Sequence, residues 1–108
     1  MNAVSRKKPH VFIDAGRLIT QFPDVHLWVN RIDPVSGVLY GIQVYEMEKK
    51  GAPRIVYADS ATLDYVDNGA TLMFRLRSGE THTVDPDKPE NYFRIRFFSQ
   101  DLALQNVD

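Results

Sequence analysis

The chain has no cysteine. That excludes disulfides, thiolate metal sites and cysteine nucleophiles. It leaves the redox compartment open, because a cysteine-free domain suits an oxidising or a reducing space. Charge of one sign is also lacking: 13 Lys and Arg stand against 14 Asp and Glu, a net charge of -1. A non-specific nucleic-acid binder needs a basic footprint, so that class is set aside. No apolar run approaches the roughly 20 residues that span a bilayer. "MNAVSRKKPH" lacks the apolar h-region of a secretory signal. If the domain works outside the cytoplasm, the exporting segment is not in this stretch. A soluble piece of a membrane protein has this look.

Helix signals are few. "YEMEKK" holds good helix formers but runs into Gly51, and "SQDLALQNVD" is long enough for a turn or two at the end. The glycines are isolated, so there is no phosphate-cradling loop.

What the 108 residues do contain is a succession of short apolar-patterned runs, 44% of the chain being hydrophobic. That is one domain's worth, enough to build a core without staples. The runs are "HVFID", "GRLITQF", "VHLWVNRI", "VLYGIQVYEME", "PRIVYAD", "ATLDYV", "ATLMFRLR", "ETHTV" and "NYFRIRFFS". Val, Ile, Thr, Tyr and Phe suit a pleated, half-buried surface. Between them lie "FPD", "DPVSG", "EKKGAP", "DNG", "RSG" and "DPDKPEN", whose Gly, Pro, Asn and Asp accept turn geometry. Strands about ten residues apart, each followed by a turn signal, indicate an all-β antiparallel sandwich or barrel. Residues 9–104 form one domain on this reading, flanked by a basic segment (1–8) and a polar tail (105–108).

Alternation assigns an inner face. It takes Val25, Leu27 and Val29, then Val38, Tyr40, Ile42 and Val44. It takes Ile55 and Tyr57, against competition from Val56 and Ala58. It takes Leu72, Phe74 and Leu76, and finally Phe93, Ile95 and Phe97 between Arg94 and Arg96. Ser78-Gly79 reads as the turn of a hairpin. A one-residue slip would reverse each assignment.

Catalytic patterns are weak. His10, His26 and His82 sit in no motif, and Ser36, Ser60, Ser78 and Ser99 lack a strand-turn-helix elbow. Asp85, Asp87, Glu90 and Asn91 offer hard oxygens, but two prolines explain "DPDKPEN" as a rigid turn and the spacing fits no calcium loop. Asp59, Asp64 and Asp67 are satisfied by turn or outward roles. "YFRIRFF" interleaves arginine with aromatics, as single-strand nucleic-acid binders do. A strand with aromatics inside and arginines outside explains it better at this net charge. No catalytic residue, metal ligand or cofactor is assigned. A carbohydrate-binding sandwich would draw on Trp28, Tyr45 and Tyr65, but lacks a visible carboxylate pair.

Order and spacing carry a resemblance. "LWVN" is followed by "IDPVSGVLYGIQVYE", then by "IVYADSATLDY", "FRLRSGETHTV" and the exit "RIRFFSQDLAL". Together these resemble the periplasmic domain of the lipopolysaccharide-export permeases LptF and LptG (the YjgP/YjgQ family), over about residues 8–104. No single motif is specific, and Trp28 stands where the family often has tyrosine. The resemblance implies a β-jellyroll in the periplasm, open along one edge, within an inner-membrane subunit of an ABC transporter. It implies as partners lipopolysaccharide, a paralogous permease subunit, an LptC-like jellyroll protein and a cytoplasmic ATPase that does the hydrolysis. The candidate lipid groove is then Leu27, Val29, Ile42, Val44, Ile55, Tyr57, Leu72, Phe74, Leu76, Phe93, Ile95 and Phe97. The first and last strands are candidate docking edges. A structural interaction module without lipid is the competing reading.

Overall fold

The computed structural model describes residues 13–47, 53–85, 87–88 and 90–105. Six strands form one antiparallel sheet in sequence order: β1 (Leu18–Phe22), β2 (Val25–Ile32), β3 (Leu39–Glu46), β4 (Arg54–Val66), β5 (Thr71–Val84) and β6 (Tyr92–Gln105). The expected all-β, antiparallel architecture forms, and it is open: among the described residues β1 and β6 are the two free edges. The only helical turn among the described residues is a 3-10 turn at Asp67–Gly69.

The turn signals act where short polar residues take left-handed angles. Asp24 (φ 60°) closes β1–β2 after Pro23. Between β2 and β3, the Asp33 carboxylate accepts from Val35 N and Ser36 Oγ, both at 2.9 Å. Gly37, at φ 78°, donates its amide back to the Asp33 carbonyl. Asp67, Asn68 and Gly69 all have positive φ and reverse the chain into β5. At the last turn Asp85 Oδ1 accepts from Asp87 N, and Asp85 N donates to the Asn91 carbonyl. The acidic cluster is thus a turn built on its own side chain.

Three sequence expectations are corrected. "PRIVYAD" and "ATLDYV" are one strand, and so are "ATLMFRLR" and "ETHTV": β5 runs straight through Ser78-Gly79. "SQDLALQ" is strand, because its backbone pairs with Thr71–Arg77 of β5, and that ladder outweighs the local helix preference. Of "HVFID", His10 to Phe12 fall outside the described residues, as do "SRKK", most of "EKKGAP" and the end of the tail. Ile13 packs on the core and Asp14 belongs to no strand.

Ser78-Gly79 belongs to a larger feature. On β2–β3, β3–β4, β4–β5 and β5–β6 the register is constant, but one pairing is interrupted in each, along a single transverse line. The line runs through Asn30, Gly41, Asp59, Ser78 and Phe98. Gly41 (φ 67°) and Ser78 (φ 57°) are left-handed there. On crossing it, the buried parity switches. β3 buries Ile42 and Val44 on one side and Leu39 on the other; β4 buries Val56 and Ala58, then Ala61. We call this line the crease. Because the register is the same on both sides, these interruptions are not bulges, which would shift it; one opposed pair per ladder leaves the pairing, all on the same line, and the sheet bends there.

Bending explains the core. Leu27, Val29, Val44, Leu72 and Phe74 have no exposed surface. With no second layer of helices among the described residues, the sheet buries these side chains by curling so that its face covers itself. Burying each such side chain stabilises the fold by about 1.5–3 kcal/mol.

Candidate functional site

The twelve candidate groove residues separate into three groups. Leu27, Val29, Ile42, Val44, Leu72, Phe74 and Leu76 are all inside the closed core. Ile55 and Tyr57 lie on the other face of β4, because Val56 and Ala58 take the inner positions. This corrects their inward assignment: register, not local composition, selects between two apolar parities. Val38 and Tyr40 likewise fall out of phase with Leu39, which is buried just beyond the crease.

The third group is Phe93, Ile95 and Phe97 on β6. They pair with Thr83, Thr81 and Gly79 of β5. Thr81 and Gly79 in turn pair with the buried Val56 and Ala58 of β4. Directly opposed residues share a face, so this stripe continues the inner face of the sheet. Phe97 packs on the core. Phe93 and Ile95 run past the covered region and are 57% and 64% exposed. Tyr92 and Phe98 add further exposed aromatic surface within the same seven residues. Among the described residues β6 is also an edge, with no strand on its outer side.

The opposite face of β5–β6 is polar and clamped. The Tyr92 hydroxyl and His82 Nδ1 share a hydrogen bond. His82 Nε2 lies 3.3 Å from Glu80 Oε1, and Arg94 Nε lies 3.4 Å from the same oxygen. The His82 ring meets Tyr57 of β4 and Tyr92 of β6 edge-on. His82 therefore joins three strands. Arg75 pairs with Asp101 at 3.2 Å across β5 and β6. This network fastens the edge strand and leaves the apolar stripe on the other side untouched.

Next to Phe97 the crease opens into a cleft of about 570 Å³. Asn30, Gln43, Asp59, Ser78, Glu80 and Arg96 are among its lining residues, with Phe97 and Phe98. Sequence reasoning missed it, since its residues come from five strands. The one local signal was Ser78-Gly79, which reads as a turn. Its floor depends on two glycines. A Cβ on Gly41 would press into the Asn30 side chain, and one on Gly79 would strike the Tyr57 carbonyl oxygen and the Phe97 ring.

Among the described residues, no group of three or more His, Asp and Glu side chains is placed to hold a metal ion. No helix there is long and apolar enough to cross a membrane. Comparison with known families matches residues 1–107 to the model described as Lipopolysaccharide export system permease LptF/LptG. Among curated proteins none matches the chain.

Proposed function

The chain belongs to the lipopolysaccharide export system permease LptF/LptG family, and on that premise we propose that it is the periplasmic domain of such an inner-membrane subunit and guides lipopolysaccharide along an apolar face. The observation that carries this reading is the exposure of Phe93 and Ile95 on the inner face of an edge strand. Burying one acyl carbon is worth about 0.8 kcal/mol, so a chain of about a dozen carbons gains on the order of 10 kcal/mol. A lipid with several chains cannot cross water between carriers at that cost. It needs apolar surface that is already continuous. The stripe Phe93–Ile95–Phe97 runs from the open edge into the core. Leu27, Val29, Ile42, Val44, Leu72, Phe74 and Leu76 form the packed wall behind it.

The domain is non-catalytic on this reading, and ATP is hydrolysed by a separate cytoplasmic ATPase. The paralogous permease subunit is its companion. An LptC-like jellyroll protein joins at a free edge by strand addition, which uses the unpaired backbone of β6 or β1.

In cells carrying the full permease, photocrosslinking residues at Phe93 and Ile95 capture lipopolysaccharide, and those at Arg75 and Tyr57 do not. Capture from Arg75 alone would sink the conduit. A second reading draws on the long free edge of β6: an interaction module that binds protein only. It predicts protein crosslinks from Phe93 and Ile95 and no lipid.

A further inference from the structure

The crease cleft has a chemistry different from that of the stripe it adjoins. Trp28 Nε1 donates to Asn30 Oδ1 at 2.8 Å, and the Tyr45 hydroxyl donates to Gln43 Oε1 at 2.5 Å. Each amide oxygen is thereby engaged by an aromatic neighbour, and each amide NH2 keeps its donors for the cleft. Among the described residues, the side chains of Asp59, Ser78 and Arg96 have no hydrogen-bond or ion-pair partner. The cleft therefore carries free donors and free acceptors side by side. Its volume lies within the range of small-molecule sites, roughly 300–1,000 Å³.

These properties eliminate several occupants. A bare phosphate would meet one free guanidinium, Arg96, and two carboxylates, Asp59 and Glu80. An acyl chain would strip water from polar groups and return nothing, at about 1–3 kcal/mol each. An extended peptide finds no edge here, since β3, β4 and β5 are interior strands with both sides paired. What remains is a ligand whose groups both donate and accept, and whose carbon skeleton presents apolar patches to Phe97 and Phe98. Hydroxyl-rich sugars have that character.

We propose that the crease cleft is a saccharide site, taking an uncharged stretch of sugar through Asn30, Gln43, Asp59, Ser78 and Arg96. The inference rests on the lipid-conduit reading for the sugar's origin. Phe97 lines the cleft as well as the stripe, whereas Gln43, Tyr57, Glu80 and Arg96 reach the cleft from the polar face, so the sugar lies across the edge strand from acyl chains on the stripe. Phe93 and Phe97 are four residues apart, a rise of roughly 14 Å along the strand. An amphiphile is thus read at both ends within one strand's length.

The test is a nitrogen-15 NMR titration of the 108-residue chain. The probe is a core oligosaccharide freed of acyl chains and phosphate; the same oligosaccharide with its phosphates, and lauric acid, are run beside it. The dephosphorylated sugar shifts the amides of Asn30, Gln43 and Ser78. Asp59→Asn and Arg96→Gln each weaken binding at least tenfold. Ser78→Gly removes a hydroxyl while suiting the left-handed backbone, so its loss of affinity is not a loss of fold. Binding of the phosphorylated form alone, silence at the crease, or indifference to all three variants would overturn the proposal. The conduit is scored separately by lipid crosslinks at Phe93 and Ile95. Crosslinks with a silent crease reject the saccharide site alone; crease shifts without crosslinks keep the site and reject the conduit.

Discussion

The ring of Phe97 on β6 occupies the space where a side chain on Gly79 of β5 would begin. The Tyr57 carbonyl of β4 closes the same space from the other side. Three strands meet over one missing methyl group. Gly79→Ala forces them apart and destabilises the domain by about 1–3 kcal/mol, in the manner of an overpacked core. Calorimetry should show Tm lowered by on the order of 5–20 °C. An unchanged Tm would mean that the crease tolerates the methyl.

Ser78, one residue earlier, responds in the opposite sense. Its φ of 57° costs a residue with a Cβ roughly 1 kcal/mol or somewhat more, which glycine avoids. Part of that gain is offset by the extra freedom of glycine in the unfolded chain. Ser78→Gly should leave Tm unchanged or raise it by a few degrees. A substantial fall would show that the hydroxyl matters to stability.

Two phenylalanines separate packing from recruitment. Phe74 is fully buried, and Phe74→Ala should cost about 3–5 kcal/mol in urea unfolding. Phe93 is mostly exposed, and Phe93→Ser should change stability by less than about 1 kcal/mol. Lipopolysaccharide crosslinking from Ile95 should nevertheless drop. If Phe93→Ser unfolds the domain, the stripe is core and not a contact surface.

Acid should weaken the β2–β3 turn through Asp33. The amide of Val35, then the Ser36 hydroxyl, hold its carboxyl below the usual value of 3.8. A carboxylate with a lowered folded pKa adds stability above its unfolded pKa and loses it as pH falls through the folded one. The loss therefore falls below pH about 4. Carbon-detected NMR titration should place the Asp33 midpoint below 3.8. Asp33→Asn should flatten this part of the acid limb; an unaltered limb would assign it to other carboxylates.

Much of the sheet was legible where burial alternates locally. β2 and β3 announce themselves through Leu27–Val29 and Ile42–Val44, and each turn through its Asp, Asn or Gly. The face of β4 was not legible, because Ile55–Tyr57 and Val56–Ala58 are equally apolar and only pairing with β3 decides. The crease was hidden for a related reason. Ser78-Gly79 has the composition of a turn, and nothing local says that five strands break on the same line. The strand character of Leu102 and Leu104 likewise comes from β5. Of the site, Phe93, Ile95 and Phe97 were named from alternation and family pattern, but their differing exposure follows from how far the sheet curls. The cleft residues share no sequence neighbourhood at all.

Every strand pairs only with the strand before and after it in the chain. Such a sheet can grow in the order in which it is made, hairpin by hairpin, with each new strand templated by the last. β6 is then the last of the six described strands to zip on, and no other described strand pairs with its outer side. Its amides should exchange with solvent ahead of those of β3 and β4, through openings that leave the rest of the sheet intact. The strand bearing the exposed aromatics can thereby be released and re-formed without dismantling the strands made before it.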